Sequence, residues 1–224
     1  MSKRPVFIPS EDTSNFVDEI EIDFTWHSGF SISQKQKSIE SLHKEITNKT
    51  GLKSILEIST KSLDLVGVNA SAFNLCLTSK DGTFASVESF YQGSKVFQGG
   101  GPYTDLYKKN SYDAKKDERL KNSGELTGFL FKGTQWGLND FFYDWLYMNA
   151  LQQNIEIGEK FKKYDGFTDI EFNPKKSYNC QAYSAALFVS ASMKGINIDE
   201  LKSKQVFQKL FPAKKLKNFQ LDLF

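Results

Sequence analysis

The chain has 224 residues, 39% apolar and 25% charged, which is enough for one sizeable core and excludes disorder throughout. Its net charge of +2 excludes a strongly basic field able to hold nucleic acid non-specifically by itself. Arg4 and Arg119 are the only arginines among 29 basic residues, so guanidinium forks cannot do extensive base reading, and nucleic acid would be met weakly or through one pocket.

Residues 1–21 are polar, with Pro5, Pro9 and an acidic stretch, and read as a loosely ordered N-terminal segment holding at most one short strand. Ile22–Trp26 alternates as a strand does. Ile32, Ile39, Leu42 and Ile46 recur at helical spacing, with Ser31 before them and Gly51 where a C-cap belongs. Ser54–Ser59 (SILEIS) is the clearest strand, and Asn69–Phe84 is short, mixed and turn-rich. Ser86–Phe97 reads as a helix stopped by Gly99-Gly100-Gly101-Pro102. Tyr112–Lys121 reads as a short exposed helix. Asn139 or Asp140 is placed to cap an aromatic helix running to Leu151. Ser177–Lys194 carries Ala182, Ala185, Ala186 and Val189 on one stripe, as a packed central helix would. The tail from Asp199 holds one more helix and the basic Lys214, Lys215 and Lys217. The sum is mainly α with a small β-sheet (α+β), with residues 22–224 as one domain.

Cys76 and Cys180 fit no disulfide framework or metal spacing and read as small buried side chains; His27 and His43 form no metal-binding pair. The first ten residues lack the apolar core of a signal peptide, and no run of about 18 apolar residues exists. No membrane span and a cytoplasmic location are therefore expected.

Chemistry concentrates on the Ser86–Phe97 helix. At about 100° per residue, Glu88, Gln92 and Lys95 share a narrow stripe with Tyr91 at its edge, while Val87, Phe90, Ser94 and Phe97 make a second stripe for the core. Glu88 and Lys95 would stand roughly 10.5 Å apart along the axis, too far for an intrahelical pair and wide enough for a small substrate group. The alternative is an ordinary solvated face. The three glycines allow close backbone approach but match no P-loop, because no G-K-[ST] follows.

Ser86-Val-Glu-Ser-Phe-Tyr-Gln-Gly-Ser-Lys95 resembles the S-V-E-h-x-Y-Q-x-x-K helix of the NADAR family. Ser71–Leu75 stands where that family has a short Ser-Asn-Phe segment. Ala114–Arg119 resembles its downstream A-K-x-x-G-R stretch, with Glu118 in place of the glycine. The ordered set of Trp26–Ile39, Leu56–Ser59, Ser71–Leu75, the Glu88 helix through Gly101-Pro102-Tyr103, Phe142–Leu146, Phe167–Ser177 and Asn179–Ala182 is similar to the branch of antitoxins associated with DarT-type toxins.

This resemblance implies a mainly helical fold with a small sheet. It also implies an ADP-ribosyl hydrolase that removes ADP-ribose from guanine in DNA and so opposes a DarT-type toxin carried on a separate chain. No metal or redox cofactor is implied, and a monomer is expected. Glu88 would be the general acid/base, and Lys95 the nucleophile that forms a Schiff base with the ribose. Tyr91 and Gln92 would shape the ribose pocket, with Asn74 close by. The family uses a later aromatic residue, for which Trp136 and Trp145 compete; Trp136, in a Gly-rich segment, is favoured, and Trp145 reads as core. It also uses a late acid, for which Asp169 and Glu171 stand on one face of an extended D-x-E segment, or else form a salt-bridged edge with Lys175 or Lys176. Lys175, Lys176 and Lys214–Lys217 would contact DNA. The same Glu88 and Lys95 could instead serve an N-glycosidase of a small phosphorylated metabolite. A third reading is an antitoxin that binds ADP-ribose without turnover.

Overall fold

The computed structural model describes residues 2–12, 15–174, 177 and 179–211. Lys175, Lys176, Lys214, Lys215 and Lys217, expected as DNA contacts, lie outside the described residues. The first elements in chain order are β1 (Ser2–Pro9), β2 (Val17–Phe24), α1 (Ile32–Thr50), β3 (Ile55–Glu57), α2 (Leu65–Ala70), β4 (Cys76–Thr78), β5 (Phe84–Ser86), α3 (Val87–Gly93) and β6 (Lys95–Phe97). There follow α4 (Ser111–Lys115), α5 (Arg119–Asn122), β7 (Leu126–Phe131), β8 (Thr134–Trp136), α6 (Phe142–Gln153), α7 (Ile155–Phe161), β9 (Gly166–Thr168), α8 (Gln181–Met193) and α9 (Lys204–Leu210). The chain is mainly α with small sheets, as its sequence implies. Among the described residues no helix is long and apolar enough to cross a membrane.

The chain divides into two compact units. The first comprises residues 1–71 and 155–198. Its sheet has the order β2-β1-β9-β3, with β1 antiparallel to both neighbours and β3 parallel to β9. Ser2–Pro9 and Val17–Phe24 are thus paired antiparallel strands rather than part of the loose segment expected. Pro5 and Pro9 argued against a strand, but β1 meets β9 only at Phe7↔Phe167, so that edge demands few backbone donors. Ser31 Oγ caps α1 by accepting from the Gln34 amide, and Gly51 ends it at φ 79°. Ile39, Leu42 and Ile46 pack on Val6, Ile22, Phe24 and Ile170. Ile32, at the first turn, is left 54% exposed, outside the expected stripe. The Ala182, Ala185, Ala186 and Val189 stripe of α8 is buried, and this helix packs on β1 and β9.

The second unit comprises residues 72–154 and 199–224. It holds the β4–β5 hairpin, the three-stranded sheet β6-β7-β8, and α3 and α6 around an aromatic core. Phe90 meets Tyr107 at 4.9 Å and Phe131 at 5.3 Å between ring centroids, and Phe129 meets Phe142 at 5.0 Å. Each such ring, wholly buried, contributes about 2–3 kcal/mol. Helix α6 begins after Phe141, a left-handed residue at φ 55°. Asp140, expected as its cap, instead accepts from the Gly137 amide at 2.7 Å, closing the turn before it. The region expected as one helix over Tyr112–Lys121 is two short ones, α4 and α5.

Candidate functional site

The Ser86 hydroxyl ends β5 and opens α3, accepting from the Ser89 amide at 3.0 Å. The next two backbone amides leave the helix start: Val87 N donates to Leu75 O and Glu88 N to Ala72 O, each at 2.9 Å. These bonds pin the first turn of α3 and point Glu88 into the unit, where it is only 5% exposed. One turn later Gln92 Nε2 donates to Glu88 Oε1 at 2.9 Å. Gln92 Oε1, although buried, has no hydrogen-bond partner among the described residues. Lys115 Nζ approaches the same Glu88 oxygen at 3.6 Å from the exposed side.

Lys95 does not stand on that helix. The helix ends at Gly93, where a Cβ would meet the Tyr107 ring at 2.6 Å, and Ser94 turns its hydroxyl onto Phe90 O at 2.7 Å. Lys95 then begins β6, opposite Phe129 of β7. The 10.5 Å helical spacing therefore does not apply: the close Tyr107 packing and the pairing to β7, 31 residues or more downstream, outweigh local helical preference. The glycine run stops this strand and not a helix. Gly101 has φ 91°, and a Cβ there would lie 2.3 Å from Lys95 O, so a side chain would push the Lys95 backbone away.

Lys95 is 7% exposed. Its Nζ lies 5.0 Å from the centroid of the Tyr91 ring and has no hydrogen-bond partner among the described residues. The Tyr91 ring is itself held by Phe129 at 5.3 Å and Tyr143 at 5.1 Å. Burial pushes the Lys95 ammonium down to about 8; the Glu88 carboxylate opposes this and the Lys115 charge adds to it. An amine so poised is neutral in about one molecule in ten at pH 7, against roughly one in 2,500 for an exposed lysine.

Glu88, Tyr91, Gln92 and Lys95 are thus gathered in the second unit. Asn74, in the same unit, is exposed on the lip of a groove beside Phe73. Phe73 lies 5.0 Å beneath Lys115 Nζ, so this lysine touches both the groove and Glu88. Sequence reasoning passed over Lys115, although it stands inside the quoted Ala114–Arg119 stretch. Trp136, favoured as an exposed binding aromatic, is 1% exposed. It packs 4.9 Å from Trp145 and 5.4 Å from Phe142, under the Lys204 ammonium at 4.8 Å. Its Gly-rich segment is a β-hairpin that turns the ring inward. Trp145, expected in the core, is the more exposed of the two.

Asp169 and Glu171 belong to the first unit, and the two carboxylates do not share a strand face. Strand β9 ends at Thr168, and Asp169 Oδ1 accepts from the Glu171 and Phe172 amides at 3.0 and 3.2 Å, folding the segment into a turn. Asp169 is buried and takes a bond from Gln181 Nε2 at 3.0 Å, whereas Glu171 is exposed and pairs with Lys35 at 3.1 Å. Beside Asp169 lies Glu57, a buried acid that sequence reasoning left unremarked within Leu56–Ser59. It accepts from Thr168 Oγ1 at 2.7 Å and from the Ile170 amide at 2.9 Å. Burial, then the Glu57 charge, pushes Asp169 up to about 7, and Glu57 is raised by burial as well. Arg4 donates to Ile170 O at 3.2 Å in the field of both acids. His43, bonded to Thr168 Oγ1 at 2.9 Å, is pushed down to about 4 by burial.

These shifts have opposite signs in stability. A raised acid stabilises fully below its unfolded value, about 3.9 for Asp, and that contribution is lost as pH rises through about 7. The lowered His43 stabilises fully above about 6.5 and loses this as pH falls toward 4. Above pH 6.5 the acids are opposed by Lys95, whose lowered value near 8 lets the folded chain release a proton that the unfolded chain keeps, a stabilising contribution that grows as pH rises toward 8 and beyond. The melting temperature is therefore expected to fall between pH 6.5 and about 7.5, and Asp169→Asn to flatten most of that fall in thermal scans. A slope of undiminished size in the variant would remove Asp169 as its cause.

Comparison with curated proteins gives no match. A family model described as DarT1-associated NADAR antitoxin matches residues 2–220, taking in both units with Glu88 and Lys95. With nearly the whole length matched, the chain belongs to the DarT1-associated NADAR antitoxins.

Proposed function

We propose that this antitoxin is an ADP-ribosyl hydrolase that removes ADP-ribose from guanine in DNA, reversing the modification made by a DarT-type toxin on a separate chain. The observation that carries this reading is the Lys95 amine. It is buried, lacks a hydrogen-bond acceptor among the described residues, and is lowered to about 8 beside a buried carboxylate. Such an amine is costly to keep charged and well suited to act as a nucleophile.

Lys95 Nζ attacks the anomeric carbon of the ribose attached to the base. The bond from that carbon to guanine breaks, Glu88 takes one proton from the attacking amine and passes it to the departing nitrogen, and as the sugar opens Glu88 carries the second amine proton to the ring oxygen, leaving an imine on Lys95. Water, deprotonated by Glu88, adds to the imine carbon and releases ADP-ribose and free lysine. Tyr91 holds the amine against its ring face, and Gln92 Oε1, unpaired among the described residues, can accept from a ribose hydroxyl. Lys115 keeps Glu88 next to a positive charge.

The test uses an oligonucleotide ADP-ribosylated on one guanine, followed by mass spectrometry, with a parallel sample quenched in borohydride. Release of ADP-ribose with a sugar adduct on the Lys95 peptide is expected. Release without that adduct would overturn the nucleophile assignment. ADP-ribose binding without turnover would replace the hydrolase by a binding antitoxin, and turnover of small phosphorylated N-glycosides alone would change the substrate class.

A further inference from the structure

A groove of about 420 Å³ opens in the second unit between the β4–β5 hairpin and residues 107–112. That volume suits one nucleotide. Two large rings stand at its rim with no cover among the described residues: Phe84 is 67% exposed and Tyr112 53%. Phe73, on its wall, meets Tyr112 edge-on at 4.9 Å. Lys108 and Lys109 line it, and no acidic side chain does. Carboxylates of the neighbouring chain segments are already engaged. Asp117 takes Lys109 at 2.9 Å and Arg119 at 2.8 Å, Asp105 takes Arg119 at 2.7 Å, Asp81 takes Lys132 at 2.6 Å, and Asp113 accepts from Asn110 at 2.7 Å. Lys108 has no ion-pair partner among the described residues, so its charge is available to an anion.

Aromatic faces beside unpaired lysine are the means by which proteins hold unpaired nucleotides: rings stack on bases, and ammonium groups meet phosphate. The groove is also tied to the candidate site. Ser86 lines it and caps α3, and Ser111 lines it while bonded to Ser86 at 2.7 Å. Lys115 joins its Phe73 wall to Glu88. A strand lying in the groove would therefore meet a wall that reaches the Glu88 carboxylate through Lys115.

We propose that this groove is a subsite for single-stranded DNA. In it one nucleotide flanking the modified guanine stacks on Tyr112 or Phe84, and its phosphate meets Lys108. This rests on the hydrolase reading for the identity of the neighbouring nucleotide, but not for the binding itself. It gives the chain a preference for guanine carried in an unpaired strand over the free nucleotide, and places the strand contact on residues separate from the lysines outside the described residues.

Fluorescence anisotropy with an unmodified, labelled single-stranded 12-mer tests the binding without requiring turnover. Tyr112→Ala and Lys108→Glu, both at exposed positions, are each expected to raise Kd about tenfold. Lys108→Glu should also reduce the slope of log affinity against log salt by about 0.7. In turnover assays, both variants should lower the ratio of kcat/KM for modified oligonucleotide to that for modified mononucleotide by about tenfold. Wild-type affinity and salt slope in both variants would overturn the subsite. Equal affinity of the wild type for duplex and single strand would overturn its preference for unpaired DNA. Weakened strand binding together with absent hydrolysis would sustain the subsite while removing the hydrolase reading, so the two failures are distinguishable.

Discussion

Lys95→Ala is expected to lower release of ADP-ribose from modified DNA by about 10³-fold or more, with ADP-ribose binding retained. The side chain is buried without a hydrogen-bond acceptor among the described residues, so its removal costs no paired partner in the fold. Circular dichroism of the variant should match the wild type. The wild-type rate should climb with pH and level off above about 8, because only the neutral amine attacks and burial sets its ionisation there. Glu88→Gln should also depress the rate, since the amide can still take the Gln92 bond but cannot carry a proton. A Lys95→Ala protein that retains turnover, or a rate that falls from pH 7 to 8 with substrate saturating, would remove the amine as nucleophile.

Trp136→Ala should cost about 3–5 kcal/mol and lower the denaturation midpoint by roughly 10 °C. The indole is 1% exposed and touches Phe142 and Trp145, with Lys204 over its face. Truncation leaves a cavity between β8 and α6, and Lys204 loses its ring partner while keeping Gln135 O at 2.6 Å and Asp140 at 3.2 Å. The buried indole N–H is unpaired among the described residues, which makes Trp136→Phe much milder, about 1–2 kcal/mol. Chemical denaturation of the three proteins measures the series. A ring that instead stacked on ligand would show the reverse pattern: an unchanged midpoint and a raised KM.

The amino-acid order alone determined the mainly helical class, the α1 helix with its Ser31 and Gly51 ends, the α8 stripe, and the membership of Glu88, Tyr91, Gln92 and Lys95 in one motif. These are local features: caps act within one turn, stripes follow the 3.6-residue period, and motif residues lie within ten positions of one another. Tertiary structure alone decided the rest. Lys95 leaves the helix because β7 pairs with it from 34 residues away, Lys95 to Phe129. Trp136 turns inward because a hairpin delivers it to α6, and exposure cannot be read from a Gly-rich neighbourhood. Glu57 and Asp169 meet because β3 pairs in parallel with β9, Glu57 beside Thr168, across more than a hundred residues. Burial, which pushes Lys95 down and Asp169 up, belongs to the packed chain and to no segment of it; identical side chains in water would titrate at their ordinary values.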